Sequence, residues 1–92
     1  MSTYAVTYRY QASHDELAEL RPAHRAWLQS LLEQGVMLAS GPLGDFAGAL
    51  LIFKATDEIE LSALLDNDPF DIAGFISERV IEEWNPVFGP FN

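Results

Sequence analysis

The sequence predicts an α+β fold: a ferredoxin-like βαββαβ chain whose antiparallel sheet carries two helices on one face. Three observations lead there. Tyr4–Tyr10 alternates, with Tyr4, Val6, Tyr8 and Tyr10 on one side and Ala5, Thr7 and Arg9 on the other, the period of a half-buried strand. Leu20, His24, Trp27, Leu28 and Leu31 fall at helical spacing and mark one buried stripe. The strand–helix alternation then recurs in the order strand, strand, helix, strand. Right-handed crossovers put both helices of such a chain on the same face of the sheet.

Each element has its own justification. Ser13-His14-Asp15-Glu16 fits a capping box, a hydroxyl followed three residues later by Glu. Pro22 lacks an amide hydrogen, so the expectation is a short turn over Asp15–Leu20 and then a main helix with Pro22 in its first turn and Gly35 as its C-cap. Val36–Pro42 reads as the second strand, Leu43–Ala47 as a loop, and Gly48–Ala55 as the third strand. Ala49-Leu50-Leu51-Ile52-Phe53 runs without alternation, which predicts burial on both faces. The helices cover only one face, so a partner is expected on the other: a homodimer through the open sheet face. Asp57 and Glu60 cap a second helix with the stripe Leu61, Leu64, Leu65. Asn67-Asp68-Pro69-Phe70 ends it as a turn, since proline disfavours helix in the residue before it. Phe75–Trp84 alternates again as a charged fourth strand, and Asn85–Asn92 is a tail.

Composition bounds the function. At 92 residues, residues 1–92 read as a single domain. The chain is 49% hydrophobic with a net charge of −9 and five Lys plus Arg, which argues against nucleic acid and against anionic membrane surfaces. There is no cysteine, hence no disulfide and no thiolate. Met1-Ser2-Thr3-Tyr4 does not begin a secretory signal, and no apolar run approaches the ~18 residues of a membrane span. A cytoplasmic protein is expected, without cofactor. With two histidines and no cysteine, a metal site would be weakly specified and none is assigned.

His24 is the polar member of the helical stripe, close to the expected helix start. An antiparallel fourth strand must begin where the first ends, so Asp68 and His24 are expected at the same end of the sheet. A carboxylate on one ring nitrogen fixes the tautomer and leaves the other nitrogen as acid or base. An unperturbed imidazole titrates near pH 6.5, roughly, which suits proton transfer. Arg21 and the free N–H groups at the helix start would favour a carboxylate or phenolate. Ser40 is a possible third member, and Phe70 follows in the same turn. Structural readings stand beside these: His24 as a hydrogen-bonded core residue, Asp68 as a turn carboxylate, His14 as a solvated loop residue, Arg79 as part of a cross-strand or subunit charge pair, Trp27 and Trp84 as core or interface.

Arg21-Pro22-Ala23-His24, Gly35–Pro42, Asp68-Pro69-Phe70 with Ala73-Gly74, and Trp84-Asn85-Pro86-Val87-Phe88 together resemble the YciI-like (YCII-related) family. The resemblance spans Tyr4 to Gly89. It implies a dimeric α+β barrel and an active site centred on His24 and Asp68. One activity of the family is loss of HCl from a chlorinated hydroxyquinol, and related barrels include muconolactone isomerases and small monooxygenases. Many relatives carry a Ser where this chain has Ala49.

The expected function is a small-molecule enzyme of the acid–base type, a lyase or isomerase acting on a small cyclic or aromatic, anionic substrate. His24 and Asp68 would be catalytic, with Arg21, Ser40 and Phe70 binding substrate. The alternative is a non-catalytic small-molecule-binding or accessory module in the same pocket. A haem-dependent variant with His24 as axial ligand is a third reading. His24→Ala is expected to leave the melting temperature nearly unchanged.

Overall fold

The computed structural model describes residues 1–92. Four strands, β1 (Ser2–Tyr10), β2 (Met37–Leu43), β3 (Gly48–Ala55) and β4 (Ile76–Glu83), form one antiparallel sheet in the order β2-β3-β1-β4. Three helices, α1 (His14–Glu33), α2 (Glu58–Leu65) and α3 (Pro69–Ile72), connect them. This is the expected ferredoxin-like α+β arrangement, with one extra helical turn. None of the helices is long and apolar enough to cross a membrane.

The register explains the core. Tyr4, Val6 and Tyr8 of β1 stand opposite Phe53, Leu51 and Ala49 of β3, so one face presents an unbroken row of apolar side chains. Leu28 and Leu31 of α1 and Leu61 and Leu65 of α2 join that row in one cluster of buried residues, with Trp27 packed against its edge. Gly48 is fixed by close approach: a Cβ there would fall on the Tyr8 carbonyl oxygen. Only glycine lets β3 start so near β1.

Four expectations need correction. The first helix does not begin at Arg21-Pro22. Ser13 caps it through the expected reciprocal box (Glu16 N–H to Ser13 Oγ, Ser13 N–H to Glu16 Oε1), and it runs uninterrupted through Pro22. Pro22 and Ala18, whose carbonyl loses its partner, are both exposed, so water satisfies that carbonyl and the helix continues. Second, Asp68-Pro69-Phe70 is not merely a turn. Asp68 caps α3, Pro69 takes the first helical position and Phe70 N–H donates to Asp68 Oδ1.

Third, β3 is not left with a wholly bare second face. Ile52 on that face is buried within this single chain, and it shares a shallow groove with Leu50, Trp84 and Phe91 of the returning tail. Trp84 and Phe91 meet edge to face at 6.1 Å. Leu50 remains 41% exposed. Fourth, Arg79 does not pair across the strands. It reaches from β4 to the helices, donating to Asp71 Oδ2 (2.6 Å), Asp66 Oδ1 (2.9 Å) and Ser62 Oγ (2.8 Å). Those partners flank Asp68 on both sides, so one guanidinium ties the Asp68 segment to the sheet.

Candidate active site

Two remote segments converge beyond the C-terminal end of β1. From α1 comes His24, on the buried stripe between Leu17 and Leu28. From the α2–α3 junction comes Asp68. The chain that follows, running from α3 into β4, is tied to the end of β1 by Gln11 N–H to the Phe75 carbonyl (2.7 Å), the Gln11 side-chain amide to the Gly74 carbonyl (3.0 Å) and Ser77 Oγ to the Arg9 carbonyl (3.1 Å). Across 44 positions of sequence, His24 Nδ1 lies 2.8 Å from Asp68 Oδ1.

Asp68 is wholly buried and His24 nearly so. The carboxylate accepts at Oδ1 from the Phe70 amide (3.0 Å), and the imidazole donates to the same oxygen through Nδ1–H. That assigns the proton to Nδ1, because a carboxylate can only accept. The ring is held on a second side by Phe70, stacked at 4.1 Å between centroids and 10° between planes. Orientation is therefore set by one hydrogen bond and one ring face. Nε2 has no partner in the chain and faces a cavity of about 240 Å³.

Arg21, Ser40 and Phe70, expected beside the pair, all line this cavity. Ser40 is a β2 wall residue and bonds to neither His24 nor Asp68. Ala49 lines the cavity too, so the position where many relatives carry a hydroxyl presents a methyl group. One element of the electrostatic expectation fails. His24 lies ten residues after His14, the first residue of α1. That is about 15 Å along the axis at a helical rise of ~1.5 Å per residue, so the free N–H groups of the helix start are not part of the site. Positive charge comes instead from side chains. Arg21 and Arg25, one turn apart on α1, both line the cavity, and they are two of only five basic residues in a chain of net charge −9. Neither forms an ion pair with a carboxylate of this chain; the salt bridges are those of His24 and Arg79.

Sequence reasoning missed Arg25, Tyr8, Tyr10 and Phe46. Arg25 was legible as the i+4 companion of Arg21. Tyr8 and Tyr10 were placed together on one strand face but not connected with the carboxylate. The Tyr8 hydroxyl and Asp68 Oδ2 are the two buried side-chain polar atoms without a hydrogen-bond partner. Burial, and then the Asp68 charge, pushes the Tyr8 hydroxyl far above its ordinary range. For the same two reasons, partly offset by Arg21, Tyr10 is pushed up to about 12. Both stay neutral at ordinary pH and present hydroxyls, not phenolates. Phe46 left no signal, since its placement depends on the shape of the β2–β3 loop.

His24 and Asp68 are the metal-capable side chains here, and no three His, Cys, Asp or Glu side chains gather anywhere in the structure.

A split βαβ sheet with a cavity at one end, walled by helix and strand, defines the class: the ferredoxin-like α+β proteins. Within that class the chain belongs to the YCII-related domain family, matched over residues 1–85. No curated protein matches the sequence. Among solved structures, the chain is similar to 5-chloro-2-hydroxyhydroquinone dehydrochlorinase from Burkholderia phenoliruptrix AC1100, in complex with 2,5-dihydroxybenzoquinone. The TM-score is 0.79 at 25% identity over 90% of this chain and 93% of the other. It shares its fold with a muconolactone isomerase (TM-score 0.70, 9% identity, 100% and 96% covered). A further likeness is to an antibiotic biosynthesis monooxygenase (TM-score 0.59, 12% identity, 95% and 99% covered).

Proposed function

We propose that this protein is a small-molecule enzyme of the acid–base type, a lyase or isomerase acting on a single-ring, anionic substrate. The observation that carries the reading is the His24–Asp68 pair: a nearly buried imidazole with one nitrogen committed to a buried carboxylate and the other free toward a cavity. Nε2 takes a proton from a substrate O–H or C–H. The electron pair of the broken bond enters the ring system. Either a leaving group departs with its own bonding pair, or the proton returns at another carbon. Asp68 holds the imidazole in the productive tautomer and stabilises the imidazolium that forms. Arg21 and Arg25 hold the anionic substituents. Phe70 keeps the ring plane fixed, and Ser40 contributes a hydroxyl to the wall. A cavity of about 240 Å³ is small beside typical ligand pockets of roughly 300–1,000 Å³, which limits the substrate to one ring. The dehydrochlorination and isomerisation named for the similar proteins are reactions of this kind.

The functional unit in this proposal is residues 1–92 as one domain, located in the cytoplasm and paired through the open sheet face. Leu50, Trp84 and the groove they share with Phe91 would form the contact. A monomer by light scattering at micromolar concentration contradicts the pairing.

The test is turnover of 5-chloro-2-hydroxyhydroquinone, followed as chloride release, and of muconolactone. Wild type should convert at least one catalytically. Asp68→Asn and His24→Gln should abolish turnover while remaining folded. Turnover that survives both substitutions refutes the acid–base role. Binding of 2,5-dihydroxybenzoquinone with conversion of neither substrate supports the non-catalytic binding module instead.

A further inference from the structure

Phe46 has the one non-glycine residue with positive φ in the chain, +65°, in the loop joining β2 to β3. The left-handed region suits glycine or asparagine and strains a bulky side chain. The conformation is imposed by its surroundings. Phe46 N–H donates to the Leu43 carbonyl (2.7 Å), Ala47 N–H to Asp45 Oδ1 (3.0 Å), and Tyr10 N–H to the Ala47 carbonyl (2.9 Å). Gly48 then pins the hairpin against Tyr8.

The side chain gains little inside the folded chain. It is 52% exposed, lies outside the apolar core and makes no aromatic pair. Strain and exposed apolar surface thus fall together on one residue, and its ring lines the same cavity as His24, Arg21 and Arg25. The other aromatic residues of the cavity are already paired: Phe70 has a face occupied by His24, and Tyr10 meets Phe70 edge to face. Phe46 is therefore the aromatic wall of the cavity with no partner of its own.

We infer that Phe46 is a specificity-determining residue: its ring covers one face of a planar, single-ring anion whose charged substituents meet Arg21 and Arg25. The inference rests on the proposed function insofar as it takes the His24 cavity to be the ligand site. It adds that the ligand is flat, because only a flat ring gains from a stacked aromatic wall. A puckered ring of equal charge satisfies the arginines and forgoes the stacking.

The experiment is calorimetric titration of wild type, Phe46→Gly and Phe46→Leu with three probes: 2,5-dihydroxybenzoquinone, terephthalate, and cyclohexane-1,4-dicarboxylate as the puckered counterpart of terephthalate. Phe46→Gly should weaken the two planar probes by roughly three- to ten-fold and leave the puckered one within about two-fold. Its melting temperature should hold or rise, because glycine relieves the left-handed strain. Phe46→Leu should fall between the two for the planar probes. Equal affinity of wild type and Phe46→Gly for the planar probes overturns the inference while leaving the cavity reading intact. Equal weakening of planar and puckered probes overturns it as well. Failure of wild type to bind any of the three overturns the cavity reading itself, and this inference with it.

Discussion

Removing the imidazole of His24 should cost far more stability than deleting a surface side chain. Asp68 is fully buried, one of its oxygens has no partner, and the other is shared between the Phe70 amide and His24. In His24→Ala the carboxylate keeps a single backbone donor. The imidazole donates a hydrogen bond to a buried charged acceptor, and losing such a bond costs about 1.5–3 kcal/mol. Loss of the ring stacked on Phe70 adds about 0.5–1.5 kcal/mol. The sum, about 2–4.5 kcal/mol, is a large fraction of the whole stability of a chain this size, roughly 5–14 kcal/mol at 0.05–0.15 kcal/mol per residue. In place of the sequence-based expectation that His24→Ala barely moves the melting temperature, the structure leads us to expect a marked drop. Asp68→Asn behaves differently. It keeps an oxygen for the Phe70 amide and carries no charge, so it should cost about 1 kcal/mol. In the double variant the stranded charge is gone, and the combined loss should fall short of the sum of the singles by about 1–2 kcal/mol. Urea denaturation of the four proteins measures this directly, with the midpoint moving at constant slope. A loss below about 1 kcal/mol in His24→Ala, or additivity within about 0.5 kcal/mol, refutes the argument that the two groups depend on each other. The same cycle dictates which variants suit an activity assay. Alanine at position 24 confounds chemistry with folding, whereas glutamine there and asparagine at position 68 do not.

Three further outcomes follow from the geometry. Tyr8→Phe should destabilise by about 1.5–3 kcal/mol, the value of a hydrogen bond to a charged group, if the Tyr8 hydroxyl and Asp68 Oδ2 satisfy each other by a small relaxation; an unchanged or higher melting temperature would show the hydroxyl to be a true orphan. Stability should fall as pH rises through the interval from about 10, where unfolded tyrosine ionises, to about 12, where Tyr10 does in the fold. In that interval the folded chain holds protons that the unfolded chain has lost, so alkali favours unfolding; urea midpoints that stay flat across it would contradict the burial of these hydroxyls. Gly48→Ala should lower the melting temperature much more than Gly41→Ala, since a methyl at 48 meets the Tyr8 backbone and one at 41 meets open space; equal shifts would mean that β1 and β3 are not held so close.

Much of the scaffold was legible along the chain because it depends on local periodicity. The alternation of Tyr4–Tyr10, the reciprocal cap at Ser13 and Glu16, and the Asp57 cap each act within a few residues, and each appears in the structure where the residues indicate. The juxtaposition of His24 with Asp68 was also accessible, because antiparallel pairing of the first and last strands fixes which end of the sheet both segments share.

Other features were settled only by packing. Pro22 is a helix breaker by local rules, yet the helix passes through it because the freed carbonyl points to water and the stripe on both sides is buried against the sheet. Ile52 reads as a surface awaiting a partner until the tail folds back beside it. Arg79 alternates like a strand-face charge, but its register opposite Tyr8 puts it on the helix-covered face, where it meets two helical carboxylates. Phe46 carries no sequence signal of its left-handed backbone, which arises from a hairpin pinned at Gly48. The chain order alone determined which elements form and which ends of them meet. The depth of each side chain, and hence which charges are stranded from water and which face the cavity, was decided by three-dimensional packing, because burial is a property of all the neighbours at once and not of any stretch of sequence.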